Sequence, residues 1–159
     1  MFRVSFFALL LPFVLLPVEV NKPDDFNTQI VAKLGILLKA TPPAKLKIEV
    51  VSQDALQGDY RGYVVEDCLR QTRNPDYCGQ QVSNTHVFIH GMWIPESPQY
   101  LHIKLHERAG VDALVHEYLH WYLTYLTKPE GLLNSEQTVQ IMTVQIVTSP
   151  TFLKWMEEK

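Results

Sequence analysis

The chain has 159 residues, of which 47% are hydrophobic and 19% charged. That is enough for one domain with its own core and argues against a largely disordered polypeptide. A net charge of -3, an isoelectric point of about 6.0 and no Lys/Arg-rich run give a nucleic-acid partner no footing.

The first twenty residues differ from the rest. Arg3 provides a short positive region, and Val4 to Leu16 is apolar apart from Ser5 and broken by Pro12. About thirteen apolar residues match the hydrophobic segment of a signal peptide and fall short of the roughly twenty needed to span a bilayer. Residues 1–20 are therefore expected to be a signal peptide or, if uncut, an N-terminal anchor. In that case only would the chain meet a membrane. Residues 21–159 are expected to form a single domain, since no repeat or low-complexity tract divides them.

Beyond the leader, Asp24-Asp25 precedes Phe26, Ile30, Leu34, Leu37 and Leu38 at helical spacing, and Thr41-Pro42-Pro43 stops the pattern. Lys45 to Val51 alternates Lys45, Lys47, Glu49 against Leu46, Ile48, Val50, as a half-buried strand does. Residues 54–84 hold Gly58, Gly62, Asn74-Pro75 and both cysteines, and read as mostly loop with a short strand at Tyr63 to Val65. The pair Cys68 and Cys78 reads as one disulfide, because no second Cys pair completes a structural metal site.

His86 to Ile94, rich in Val, Phe, Ile and Trp, reads as a strand, followed by a turn at Pro95-Glu96-Ser97-Pro98. Tyr100 to His106 alternates Leu101, Ile103, Leu105 against His102, Lys104, His106, which predicts a strand with one wet face. Helical spacing then runs from Gly110 to Leu126. Asn134-Ser135-Glu136-Gln137 looks like a cap opening a helix to Val147, and Ser149-Pro150 opens a last short one. On that helix to Val147, the face of Val139, Met142 and Ile146 is by default core. Trp93, Trp121 and Trp155 read as core or cleft wall. Strands followed by gathered helices imply an α+β domain built on a small antiparallel or mixed sheet.

The chemistry lies in His116-Glu117-Tyr118-Leu119-His120, inside the strongest helical stretch. Two histidines four apart differ by about 40° and one turn, so both imidazoles address one point, and neutral imidazole is a zinc ligand. Glu117, about 100° further round, cannot easily bind the same ion but can take a proton from a water in the open position. His-Glu-x-x-His thus has a mechanism as well as a pattern. Chance alone would produce it in roughly one such composition in a hundred. A buried helix carrying two satisfied histidines is the bland alternative, disfavoured because two His and a Glu on one apolar face must all be desolvated and paired.

A catalytic zinc needs a third protein ligand. No histidine follows His120, and the carboxylates before the C-terminal Glu157 and Glu158 are Glu130, in a Lys-Pro-Glu-Gly turn, and Glu136, opening the next helix. Glu136 is the expected ligand, against a bland role as a first-turn carboxylate favoured by the helix dipole. His102 and His106 lie about 13 Å apart along a strand, too far to share one ion. They and His86 and His90 read as solvated or core histidines.

On His116, Glu117, His120 and Glu136, all within residues 110–147, the chain resembles the gluzincins, zinc peptidases with a glutamate ligand on a following helix. The resemblance implies a zincin-like metallopeptidase domain over 21–159, Zn2+ as cofactor, and a peptide or protein substrate. It implies hydrolysis by zinc-activated water with Glu117 as base. The strand Tyr100 to His106 is similar to the edge strand on which zincins lay substrate, which implies peptide binding there by strand addition. Two positions depart from the pattern. Gln140 stands where many gluzincins have an aspartate that orients a ligand histidine, and Ser135 precedes Glu136 in place of asparagine. Tyr100, His102, Tyr122 and Tyr125 qualify as oxyanion stabilisers by residue type only. The alternatives to a peptidase are a non-catalytic exported zinc-binding domain and a zinc hydrolase of a non-peptide substrate.

Overall fold

Three short strands, two of them alternating in sequence, build the centre of the domain. The computed structural model describes residues 25–83, 89–126 and 135–157; the leader, His86, Glu130 and Asn134 lie outside them. The elements run α1 (Asp25–Leu37), β1 (Lys45–Val51), α2 (Gln53–Thr72), α3 (Pro75–Ser83), β2 (Gly91–Ser97), β3 (Tyr100–His106), α4 (Val111–Tyr125), α5 (Glu136–Val147) and α6 (Pro150–Glu157). The fold is α+β, with a mixed sheet in the order β1-β3-β2. β3 pairs parallel with β1 and antiparallel with β2.

The register puts Leu46 opposite Leu101 and Ile48 opposite Ile103. These residues and Leu105 form one apolar face, buried against Ile30, Val31 and Leu34 of α1 and Leu114, Tyr118, Leu119 and Trp121 of α4. On α5, Val139 and Ile146 are buried and Met142 packs against them, so this face is core. Trp121 is fully buried, while Trp93 and Trp155 are partly buried at the margin of the core.

β3 is the central strand, which corrects the expectation of an edge strand with a wet face. Its second face is covered by α2: His102 and His106 are buried, and Lys104 pairs with Asp59 of α2 at 2.7 Å. His102 lies between the outer strands, with Nε2 2.5 Å from Glu49 Oε1 and Nδ1 2.9 Å from Glu96 Oε1. Alternating charge on this face marks contact with a polar helix rather than with solvent.

Residues 53–72 and 75–83 are helical, which corrects the loop and short strand expected there. α2 begins at a Ser52 cap, whose hydroxyl accepts from the Ala55 N–H, and ends at Arg73 in the left-handed region (φ 54). A Cβ at Gly58 or Gly62 would meet nothing within 4 Å, so both glycines sit on an open face. Each costs the helix about 1 kcal/mol relative to alanine. The Cys68–Cys78 disulfide ties α2 to α3, closing a short loop that stabilises by about 2–3 kcal/mol. Of the strand expected over His86 to Ile94, residues 86–88 lie outside the described residues; β2 runs from Gly91 to Ser97 and takes in the Pro95 region through an irregularity between Ile94 and Ser97. Among the described residues no helix is long and apolar enough to cross a membrane.

Leu119 of α4 is fully buried in this core whereas Ile36 of α1 is 77% exposed. We expect Leu119→Ala to cost about 2–5 kcal/mol in urea unfolding and Ile36→Ala less than about 0.5 kcal/mol. Equal effects would contradict the packing described.

Candidate metal centre

α4 is an amphipathic helix of unusual content, with one face apolar and buried and the neighbouring face carrying His116, Glu117 and His120. Gly110 opens it without a side-chain cap. α5 is set against it through Val139, Thr143 and Ile146, all buried. Its start is fixed by Ser135, whose Oγ accepts the Thr138 N–H at 3.2 Å. Glu136, the first residue after that cap, is thereby delivered to the histidine face of α4.

The three side chains meet. His116 Nε2 is 3.1 Å from His120 Nε2 and 3.1 Å from Glu136 Oε2, and His120 Nε2 is 3.1 Å from Glu136 Oε1. The imidazoles stand edge to face, with ring centres 4.8 Å apart. One carboxylate thus spans both rings.

These distances test whether a metal ion fits. Three contacts join only two imidazole nitrogens and a carboxylate, and each N–H can point along one of them. At least one contact therefore lacks a proton unless a cation is shared. Ligands about 2.0–2.1 Å from a tetrahedral ion lie about 3.3 Å from one another, close to the separations here. Among the described residues this is the cluster of His, Cys, Asp or Glu side chains placed to hold a metal ion. Burial, with His120 beside it, lowers the His116 pKa despite the opposing charge of Glu136. The neutral ring so favoured is the form that ligates.

Glu117 is buried in the wall of the cleft that His116, His120 and Glu136 also line. It is 9% exposed, and its Oε2 accepts the backbone N–H of Trp93 at 2.7 Å. Gly91 makes the approach possible, because a Cβ there would lie 2.9 Å from Glu117 Cγ and 3.1 Å from Leu105 Cδ2. Burial raises the Glu117 carboxyl to a pKa of about 8, against the lowering effect of the Trp93 N–H and with a further rise from Glu136.

A cleft of about 720 Å³ opens beside the cluster. α4 contributes Asp112, His116, Glu117 and His120, and α5 contributes Glu136, Gln140, Val144 and Val147. β2 supplies Gly91, Met92, Trp93 and Pro95, preceded by His90, while α2 supplies Tyr60 and Tyr63. The two tyrosines were hidden from sequence reasoning by the loop expected at 54–84. The Ser52 cap, with Asp54 in the first turn and Arg70 in the last, was the available signal for their helix.

The residues considered as oxyanion stabilisers do not line the cleft. Tyr122 donates to the Leu38 carbonyl, Tyr125 packs edge-on against Trp93, and Tyr100 stacks on His102, which is held by Glu49 and Glu96. No protein-family model, curated protein or solved structure matches the chain, so its site is read from geometry.

The Glu117 environment has a pH signature. Its carboxyl titrates higher in the folded chain than the ordinary value of 4.5. The stabilisation is therefore full below pH 4.5 and lost as pH rises toward 8. Glu117→Gln removes the titration and keeps an oxygen for the Trp93 N–H. In metal-free protein the variant should match wild type near pH 4.5 and become more stable than it by a few kcal/mol, roughly, toward pH 8. Thermal melts in a chelator check this; a difference independent of pH would contradict it.

Proposed function

We propose that the chain is a zinc-dependent peptidase of gluzincin type, working outside the cytoplasm, with His116, His120 and Glu136 as zinc ligands and Glu117 as general base. The observation that carries the proposal is the company Glu117 keeps. Three donors alone would serve a structural ion as well as a catalytic one. A buried carboxylate next in sequence to one donor, lining the same cleft and anchored by one oxygen, has no ligand role to explain it.

Two imidazoles and a carboxylate opening on a cleft suit zinc with one position free for water or substrate. Zinc, when bound, supplies a water of lowered pKa and polarises a carbonyl oxygen. Glu117 handles the proton. The Trp93 N–H fixes Oε2, which leaves Oε1 to take a proton from the attacking water and to deliver it to the leaving amide nitrogen as the C–N bond breaks. Gly91 keeps that carboxylate seated. Among the described residues no Lys or Arg lines the cleft, which supports a neutral amide rather than a phosphate or carboxylate as the group attacked. The Cys68–Cys78 disulfide supports an oxidising, exported setting.

Incubation of the zinc-loaded chain with a mixture of peptides, read by mass spectrometry, tests the reading. We expect cleavage by wild type. Glu117→Gln should retain its zinc and lose about a hundred- to ten-thousandfold in kcat. Wild-type turnover in that variant would overturn the role given to Glu117, and a fully zinc-loaded wild type that cuts no peptide would overturn the peptidase reading.

A further inference from the structure

The edge of the sheet away from the cleft is open. β1 is the outer strand there, with β3 on one side and no described strand on the other. The Lys45 N–H donates to the Gln99 carbonyl on the β3 side, so Lys45, Lys47, Glu49 and Val51 turn their backbone groups toward β3. Leu46, Ile48 and Val50 turn theirs outward, and among the described residues no backbone group takes them. Val50 is also 60% exposed, although it is apolar and lies in a strand. Such an edge is a template for a further strand.

The sequence of β1 selects the strand that fits. It reads Lys45-Leu46-Lys47-Ile48-Glu49-Val50-Val51, with an apolar residue at each outward position and opposite charges on either side of Ile48. When a second copy is laid antiparallel about a two-fold axis at Ile48, Leu46 meets the partner's Val50 and Ile48 meets the partner's Ile48. These pairs match outward groups to outward groups, and each exchanges both of its backbone bonds. Lys47 then meets the partner's Glu49 in the closer, non-hydrogen-bonded pairs, where opposite charges stabilise and like charges destabilise. Sliding the copy by two residues either way keeps the outward groups matched but sets Lys47 against the partner's Lys47 or Glu49 against the partner's Glu49.

A lysine on an edge strand ordinarily keeps other strands away. Here Lys47 is neutralised by Glu49 Oε1 at 2.6 Å. Glu49 uses the same oxygen for His102, which leaves Oε2 for the partner's Lys47.

We infer that β1 is a self-complementary pairing edge whose partner is a second copy of this chain, joined antiparallel about Ile48 into one continuous sheet. Pairing covers Val50 and satisfies the outward backbone groups of β1. β2, which borders the cleft, lies at the opposite edge of the sheet, so both clefts stay open and the pairing is independent of the peptidase reading.

Sedimentation velocity of the full chain over a concentration series tests this. We expect a species of twice the 18.3 kDa chain mass, its share growing with concentration. Lys47→Glu and Glu49→Lys each set like charges against one another and should raise the dissociation constant about tenfold or more. An equimolar mixture of the two variants restores opposite charges and should dimerise as wild type does. Val50→Pro removes an outward N–H and no bond to β3, so it should keep the fold by circular dichroism and weaken the dimer about tenfold or more. A wild type of single chain mass at every concentration would overturn the inference. So would a dimer undiminished by Val50→Pro in a folded chain, or a mixture of the charge variants that stays as weak as either alone.

Discussion

Between α4 and the outer strand β2 runs a hydrogen bond, from the Trp93 N–H to Glu117 Oε2 at 2.7 Å, on which the functional part of the molecule depends. It satisfies a backbone donor that β2 cannot offer to β3, and it holds a carboxylate inside the protein next to His116. It also requires Gly91, since any larger residue would meet the Glu117 side chain. One contact thus fixes the orientation of the carboxylate and occupies a backbone donor of the outer strand.

The metal cluster is assembled by a second, independent constraint. α4 alone supplies two imidazoles, and the third donor arrives only because α5 packs its Val139, Thr143 and Ile146 face on α4. Glu136 itself is largely exposed, so its position comes from the Ser135 cap and the packing behind it rather than from its own burial. The third wall of the cleft, α2, depends on neither. It rests on the other face of the sheet through Asp59 and Lys104 and is tied to α3 by the disulfide.

Much of this was legible in the sequence where periodicity and chemistry coincide. β1 and β3 follow from alternation, α4 and α5 from apolar spacing, and the His116, His120, Glu136 cluster from the reach of residues four apart on one helix and first on the next. Failures occurred where tertiary contacts overrode local pattern. α2 buries only Leu56 completely and carries two glycines, so it shows no apolar stripe; its helical state is supported by caps, a cross-link and ion pairing to the sheet. The charged face of β3 resembled a solvent face because the helix that covers it is polar. The close approach of Gly91 to Glu117 joins residues 26 apart and has no local signature.

The most direct measurement is a crystal structure of the zinc-soaked chain with anomalous diffraction recorded on both sides of the zinc absorption edge. One strong peak is expected, about 2.0–2.2 Å from His116 Nε2, His120 Nε2 and a Glu136 carboxylate oxygen, with a side open to the cleft. A site with no peak at saturating zinc, or a peak bound elsewhere with these three side chains hydrogen-bonded only to one another, would contradict the metal centre and the chemistry built on it.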